Sequence, residues 1–308
     1  MLKQFKSLAE LNLAFADPQT AVDHFTAIRW KNGQFCPHCG HDKVYSLSRK
    51  GQYRCAECRK NFSITVGTIF ENSKLPLRVW FGAIWLITNH KKGIASTTLA
   101  LDLGITQKSA WFLLHRLRHA ARTRSFNRPL GRSGGSVEID ETYVGGKAKN
   151  RHGRRSGTGG GTEDKTPVIG AVQRGGDVIA RVLDKANRAE MQEFVRDVVA
   201  PDAKLLATDA HRSYRGLDGF PQHEIVNHQK GEWRRGDAHT NGIESIWALL
   251  KRQIIGIHHH VSRKHLGRYV DEMTWRLNRR ALSAEERVNA LFGMVEGRLT
   301  YNALIGKA

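Results

Sequence analysis

The sequence predicts an α+β protein of several domains, and three observations predict it. Four cysteines stand as two C-x2-C pairs in a turn-rich stretch, a block of helical periodicity follows, and from Val137 onward short strand-like runs alternate with helices. At 308 residues with 40% hydrophobic side chains, the chain can build a core without disulfides.

Residues 1–30 read as one or two short helices, with Asp17-Pro18 as a start signal and Ala21, Phe25 and Ile28 on one face. Residues 31–70 form the cysteine segment, whose short β patches VYSL and FSITV suit a small metal-stapled ribbon. CPHC holds Cys36 and Cys39; CAEC holds Cys55 and Cys58, beginning 16 residues after the first pair ends. That spacing lets two knuckles close a tetrahedral four-sulfur shell around one structural Zn2+, with no cysteine left over and no open position for a substrate. His38 and His41 are expected outside that shell.

Residues 71–130 are expected to be helical and to bind DNA. VWFGAIWLI, Val79 to Ile87, is nine residues long, too short for a membrane span, and reads as a buried helix. Ser96 to Ala121 has the outline of a helix-turn-helix, with Gly104 at the turn and Thr106 capping the second helix. Gln107, Lys108 and Ser109 then open the helix that reads bases, and Arg116, Arg118 and Arg122 are candidates for phosphate contact. An ordinary helical hairpin fits the same pattern.

Gly131 to Gly135 mark a linker, and residues 136–285 predict a mixed sheet with packed helices. Its strands are VEIDETYV, PVIGAVQ, VIARVLD, KLLATDA and HEIVNH, its first helix NRAEMQEFVRDVV, and another helix runs near 240 to 254. Lys147 to Thr166 is a Gly-rich basic insert that fits neither phosphate-loop pattern; Lys147, Lys149 and Arg151 are candidate DNA-backbone contacts. Residues 286–308 read as a C-terminal tail or helix.

The charge points the same way. Lys and Arg number 49 against 29 Asp and Glu, a formal +20 with a pI near 10.2, which calls for a polyanionic partner. The N-terminus lacks the pattern of a secretory leader, so a cytoplasmic, nucleoid-associated protein of reducing surroundings is expected, with no membrane partner. Against this basic background three acids stand out. Asp140 lies in the first strand of the sheet region, Asp209 ends the strand KLLATDA, and Glu244 sits on the helix after it. Three carboxylates in one pocket repel unless a cation neutralises them, which predicts Mg2+ or Mn2+, two ions per site, and in-line phosphodiester displacement. Lys251, two turns beyond Glu244 on the same face, can bind a phosphate near the scissile bond or pair with Glu244. Glu138 shares the strand face of Asp140 and can assist; Glu141 is expected to point away. His239 and Asn241 lead the helix as candidate contacts to DNA or to the groups that support the metal ligands. The histidines of IHHHVSRKH are expected to meet DNA or solvent rather than a second metal, and Leu266, Tyr269, Val270, Met273 and Leu277 to face the core.

Taken together, CPHCG, YRCAECRKNFSITVGTIFENSKLPLRVWF, VEIDETYVGGK, TDAHRSY and HTNGIESIWALLKRQIIGIHHHVSRKHLGRYVDEMTWRLNRR resemble the DDE-class insertion-sequence transposases that carry a zinc ribbon and add a Lys after the last acid. The resemblance spans residues 17–285. It implies a ribonuclease-H-like catalytic core with Asp140, Asp209 and Glu244 as metal ligands and Lys251 as the added basic residue. It further implies binding to double-stranded terminal inverted repeats and target DNA, assembly of two or more copies on paired ends, and cleavage followed by strand transfer without ATP. Two rival readings stay open here: a zinc-ribbon and helix-turn-helix regulator without catalysis, and a structure-selective nuclease on the same core that never joins DNA.

Overall fold

The computed structural model describes residues 4–122, 128–145, 165–220 and 222–306. The chain divides into two units, Met1–Arg122 with Ala281–Ala308, and Thr123–Arg280.

The first unit begins with α1 (Leu8–Ala14), capped by Ser7, and α2 (Pro18–Arg29), where Asp17 accepts from the Gln19 amide and proline occupies the first turn. A three-stranded antiparallel ribbon follows, β1 (Val44–Ser46), β2 (Gln52–Cys55) and β3 (Asn61–Ser63). Then comes α3 (Leu77–Asn89), whose residues Trp80 to Thr88 are all buried. It is the interior helix that VWFGAIWLI predicts. Next, α4 (Ser96–Leu103) ends on Gly104 in the left-handed conformation, and Thr106 caps α5 (Gln107–Ala121) by accepting from the Ser109 amide at 3.2 Å. The expected helix-turn-helix outline is present. Only its opening turn faces solvent, because Ala110, Leu113 to Arg118, Ala120 and Ala121 are buried.

The second unit is a five-stranded mixed sheet. Strands β4 (Ser136–Val144), β5 (Thr166–Gln173) and β6 (Val178–Val182) form an antiparallel meander. Helix α6 (Arg188–Val198) then crosses over to β7 (Leu205–Asp209) and β8 (His223–Val226), which run parallel to β4 on its other side. The strand order is β6-β5-β4-β7-β8, that of a ribonuclease-H-like sheet. Strand alternation sorts the two faces. Val137, Ile139, Ile169, Ala171 and Leu206 pack with Met191, Phe194 and Val195 of α6. On the opposite face Val144, Val168 and Val178 meet α7 (Asn241–Gln253) and α8 (Arg263–Asn278) through Ile243, Trp247, Leu250, Leu266, Val270 and Met273. The absence of a side chain at Gly170 admits α7: a Cβ there would stand 2.6 Å from Trp247 Cη2.

After α8 the chain rejoins the first unit, where a capping box at Ser283 starts α9 (Ala284–Phe292) and α10 (Tyr301–Ile305) follows. Residues 286–306 are therefore built into that unit rather than trailing as a tail. Phe292 closes its aromatic core edge-to-face on Phe81, with ring centroids 4.4 Å apart, and Phe81 meets Phe15 at 4.6 Å. Among the described residues no helix is long and apolar enough to cross a membrane.

Candidate active site and metal centres

The cysteines meet as the spacing predicts. Cys36 Sγ lies 3.7 Å from Cys58 Sγ and Cys39 Sγ 3.6 Å from Cys55 Sγ, and all four sulfurs fall within 4.8 Å of one another. A disulfide needs about 2.05 Å. A tetrahedron with Zn–S bonds of about 2.3 Å instead has edges near 3.8 Å, so the shell fits one zinc. The knuckle turns are shaped by local bonds: Gly40 donates to the Cys36 carbonyl at 2.8 Å, and the His38 amide points at Cys36 Sγ at 3.4 Å.

In the second unit, the register of β4 with β7 pairs Ile139 with Thr208, so the next pair, Asp140 and Asp209, stands side by side at the end of the ladder. Both carboxylates join a cluster in which ligand oxygens lie within 4.8 Å of one another. Its third member is Glu141, which corrects the expectation that this side chain points away. Beyond Ile139, β4 has no partner on its β7 side among the described residues, so a side chain from the α6 face can turn round that edge. The Tyr214 hydroxyl holds Glu141 there, donating to Oε2 at 2.9 Å, while the His211 amide donates to Asp209 Oδ1 at 3.0 Å.

The electrostatics match a cation site. Burial, then the charges of Glu141 and Asp209, push the Asp140 carboxyl up to about 8. Glu141 is raised by burial and by Asp209, and Tyr214 is driven well above its ordinary value by burial and the Glu141 charge. Oxygen ligands that repel one another in a half-buried pocket suit a hard divalent ion such as Mg2+ or Mn2+.

Glu244 stands outside that cluster. It sits in the first turn of α7, where its Oε1 accepts from Thr240 Oγ1 at 2.7 Å and lies 3.2 Å from His228 Nε2. It remains near enough for its charge to add to the rise at Asp140. Lys251 is exposed two turns further along the same flank. Glu138 is corrected from metal helper to helix anchor. It is buried, accepts from the Gly242 and Ile243 amides at 2.7 and 3.2 Å, and pairs with Arg174 at 2.8 Å. A carboxylate on the first amides of α7 complements the helix dipole and fixes where Glu244 emerges. His239 Nδ1 lies 3.2 Å from the same carboxylate, which brings it into this anchor, and Asn241 is exposed beside it.

The DNA-contact candidates fare unequally. Arg116 is corrected: it is 6% exposed, and its Nε and Nη1 donate to the carbonyls of Leu299, Ile69 and Glu71, which ties the guanidinium into the first unit. Arg118 is likewise buried. Gln107 and Lys108 are exposed, though Gln107 Nε2 donates to Ser96 Oγ at 2.9 Å and Lys108 lies over the Tyr301 ring; Ser109 bonds Thr106. Lys147, Lys149 and Arg151 lie outside the described residues.

Sheet order and clustered carboxylates together give a ribonuclease-H-like sheet with a candidate cation site at its strand ends. Comparison with known proteins narrows this: residues 132–278 match the ISXO2-like transposase domain, and residues 17–61 match the transposase zinc-ribbon domain. The first match contains Asp140, Glu141, Asp209, Glu244 and Lys251, the second all four cysteines. A relative from Halobacterium salinarum, an uncharacterized protein in transposable element ISH50, is 30% identical over 275 residues, covering 83% of this chain and 89% of the relative. The chain belongs to the DDE insertion-sequence transposases that carry an N-terminal zinc ribbon. The crystal structure of the mariner Mos1 paired end complex with Mg aligns over 97% of this chain and 100% of that one, but at 11% identity and a TM-score of 0.22, too weak a likeness to add to this.

Proposed function

We propose that this transposase cuts and joins DNA at one site made by Asp140, Asp209 and Glu244, with Glu141 as an additional ligand. The meeting of three carboxylates at the open edge of β4 carries the reading. Mg2+ or Mn2+ held there supplies neutralising charge and Lewis acidity for phosphodiester displacement, and two ions suit the number of carboxylates. Asp140 and Asp209 bind from neighbouring strand ends. Tyr214 keeps Glu141 turned toward them, and Glu138, by holding the first amides of α7, sets the approach of Glu244. Lys251 binds a phosphate beside the scissile bond.

The zinc ribbon and the first turn of α5, with Gln107, Lys108 and Ser109, grip the terminal inverted repeats, and Asn241 meets the backbone near the catalytic acids. Strand transfer then exchanges one phosphodiester for another without ATP, on DNA ends brought together by two or more copies of the chain.

The test is a cleavage-and-joining assay with the element's own end DNA in Mg2+ or Mn2+, comparing wild type with Asp140→Asn, Glu141→Gln and Glu244→Gln. Joined products that disappear with Asp140→Asn and Glu244→Gln support the reading. Cuts without joining mean a nuclease instead, and normal joining by Asp140→Asn rejects the site.

A further inference from the structure

Between β8 and α7, residues 227–238 form a loop built from its own hydrogen bonds. The Asn227 amide donates to Glu232 Oε2 at 3.1 Å, and the Glu232 amide returns a bond to the Asn227 carbonyl at 3.1 Å. Arg235 grips the Glu232 carboxylate through Nε and Nη2 at 2.8 and 2.9 Å, and its amide donates to the Ala238 carbonyl at 2.9 Å. A loop so tied is preorganised. What it holds up is Trp233, whose residue surface is 64% exposed.

The indole is also fixed from below. Its ring lies on His228, centroids 4.9 Å apart and tilted by 36°, and His228 Nε2 stands 3.0 Å from Thr240 Oγ1 and 3.2 Å from Glu244 Oε1. The exposed aromatic is thus one side chain removed from an acid of the proposed catalytic set, within the same unit. Single exposed apolar residues are ordinary on protein surfaces. This one stands on a loop held by polar bonds, gains little from burial, and has Lys230 and Arg234 beside it, the latter reaching Asp237 at 3.6 Å across the exposed surface. An aromatic face with adjacent cations is the surface that a single nucleic-acid strand fits, bases stacking on the ring while phosphates meet the charges.

We propose that Trp233 stacks on an unpaired nucleobase of the DNA strand led to the catalytic carboxylates, with Lys230 and Arg234 against the flanking phosphates. Stacking is sequence-tolerant, so this contact holds the strand at the site whatever base arrives. The inference rests on the proposed function in taking DNA as the strand; its test is a binding measurement on the zinc-loaded protein without added Mg2+ or Mn2+, so that failure of catalysis leaves it intact.

The probes are a forked DNA duplex with a short single-stranded arm carrying 2-aminopurine, and a blunt duplex of the same sequence, titrated with full-length protein. Wild type is expected to quench the 2-aminopurine emission. Trp233→Ala should leave it bright and bind the fork about 5- to 100-fold more weakly, with the blunt duplex bound as before. Trp233→Phe, which keeps an aromatic face, should recover most of the quenching. Equal quenching by wild type and Trp233→Ala overturns the proposal, as does an equal loss on fork and blunt duplex. A change of oligomeric state in Trp233→Ala also overturns it, since the indole would then be covering a second copy of the chain.

Discussion

Asp140→Asn should make the metal-free protein more stable while abolishing its response to divalent metal. In the folded chain the Asp140 carboxyl is raised from an ordinary 3.8 to about 8, by burial and then by Glu141 and Asp209. A carboxyl raised on folding binds its proton more tightly in the folded state. Between those two values the unfolded chain has released a proton that the folded chain keeps, so stability falls as pH rises through this window. At neutral pH about three units of that interval have been crossed, at about 1.4 kcal/mol each, a ceiling of ~4 kcal/mol. Solvent reaching the half-buried group reduces this to about 1–3 kcal/mol. Asparagine needs no such proton on folding, so thermal unfolding without added Mg2+ or Mn2+ should occur a few degrees higher for the variant at pH 7, with the difference shrinking toward pH 4. Adding Mg2+ or Mn2+ should then raise the unfolding temperature of wild type and leave the variant unmoved. Coincident melts without added divalent metal at neutral pH, or an equal response to metal, would refute the reasoning.

Other perturbations separate the remaining parts. Cys55→Ser should release the zinc and unfold the ribbon, because a structural site contributes its binding free energy to folding; metal analysis that still finds one zinc per chain would reject the four-cysteine shell. Gly170→Ala drives a methyl into Trp247 and should cost about 1–3 kcal/mol by denaturant titration, with zinc content untouched. Arg116→Gln strips donors from three backbone carbonyls and should cost about 2–3 kcal/mol; if it instead weakened DNA binding at full stability, the buried role would be wrong. Metal affinity should climb with pH up to about 8, as protons leave Asp140, and a flat profile in isothermal titration would remove that carboxyl from the ligand set.

Much of this was legible in the residues because it depends on local rules. Cysteine spacing alone specifies which sulfurs can meet, and short apolar runs between turn signals announced all five strands of the sheet in order. The failures share a different origin. Alternation assigns Glu141 to the far face, and it does lie there at the backbone. What alternation does not contain is the end of the β4–β7 ladder at Ile139, which opens the edge round which that side chain turns. Glu138 was placed on the correct face, yet the amides of α7 that claim it are 104 and 105 residues away in sequence. Arg116 read as a surface cation because basic residues on an amphipathic helix normally face solvent. Helix α5 is instead enclosed by elements from both ends of the chain, and those supply the carbonyls that its guanidinium needs.

That enclosure has a consequence for synthesis. Because Phe292 and the strand-like segment near Val295 complete a core begun by Phe15, Phe25 and Phe81, the nascent first unit must wait, unfinished, until the whole nucleotidyl-transferase unit has left the ribosome. A message interrupted before residue 281 therefore yields a zinc ribbon and helices that lack the lid of their aromatic core. Such fragments should be cleared as misfolded chains, so the fold couples completion of the zinc-ribbon unit to completion of the sheet unit.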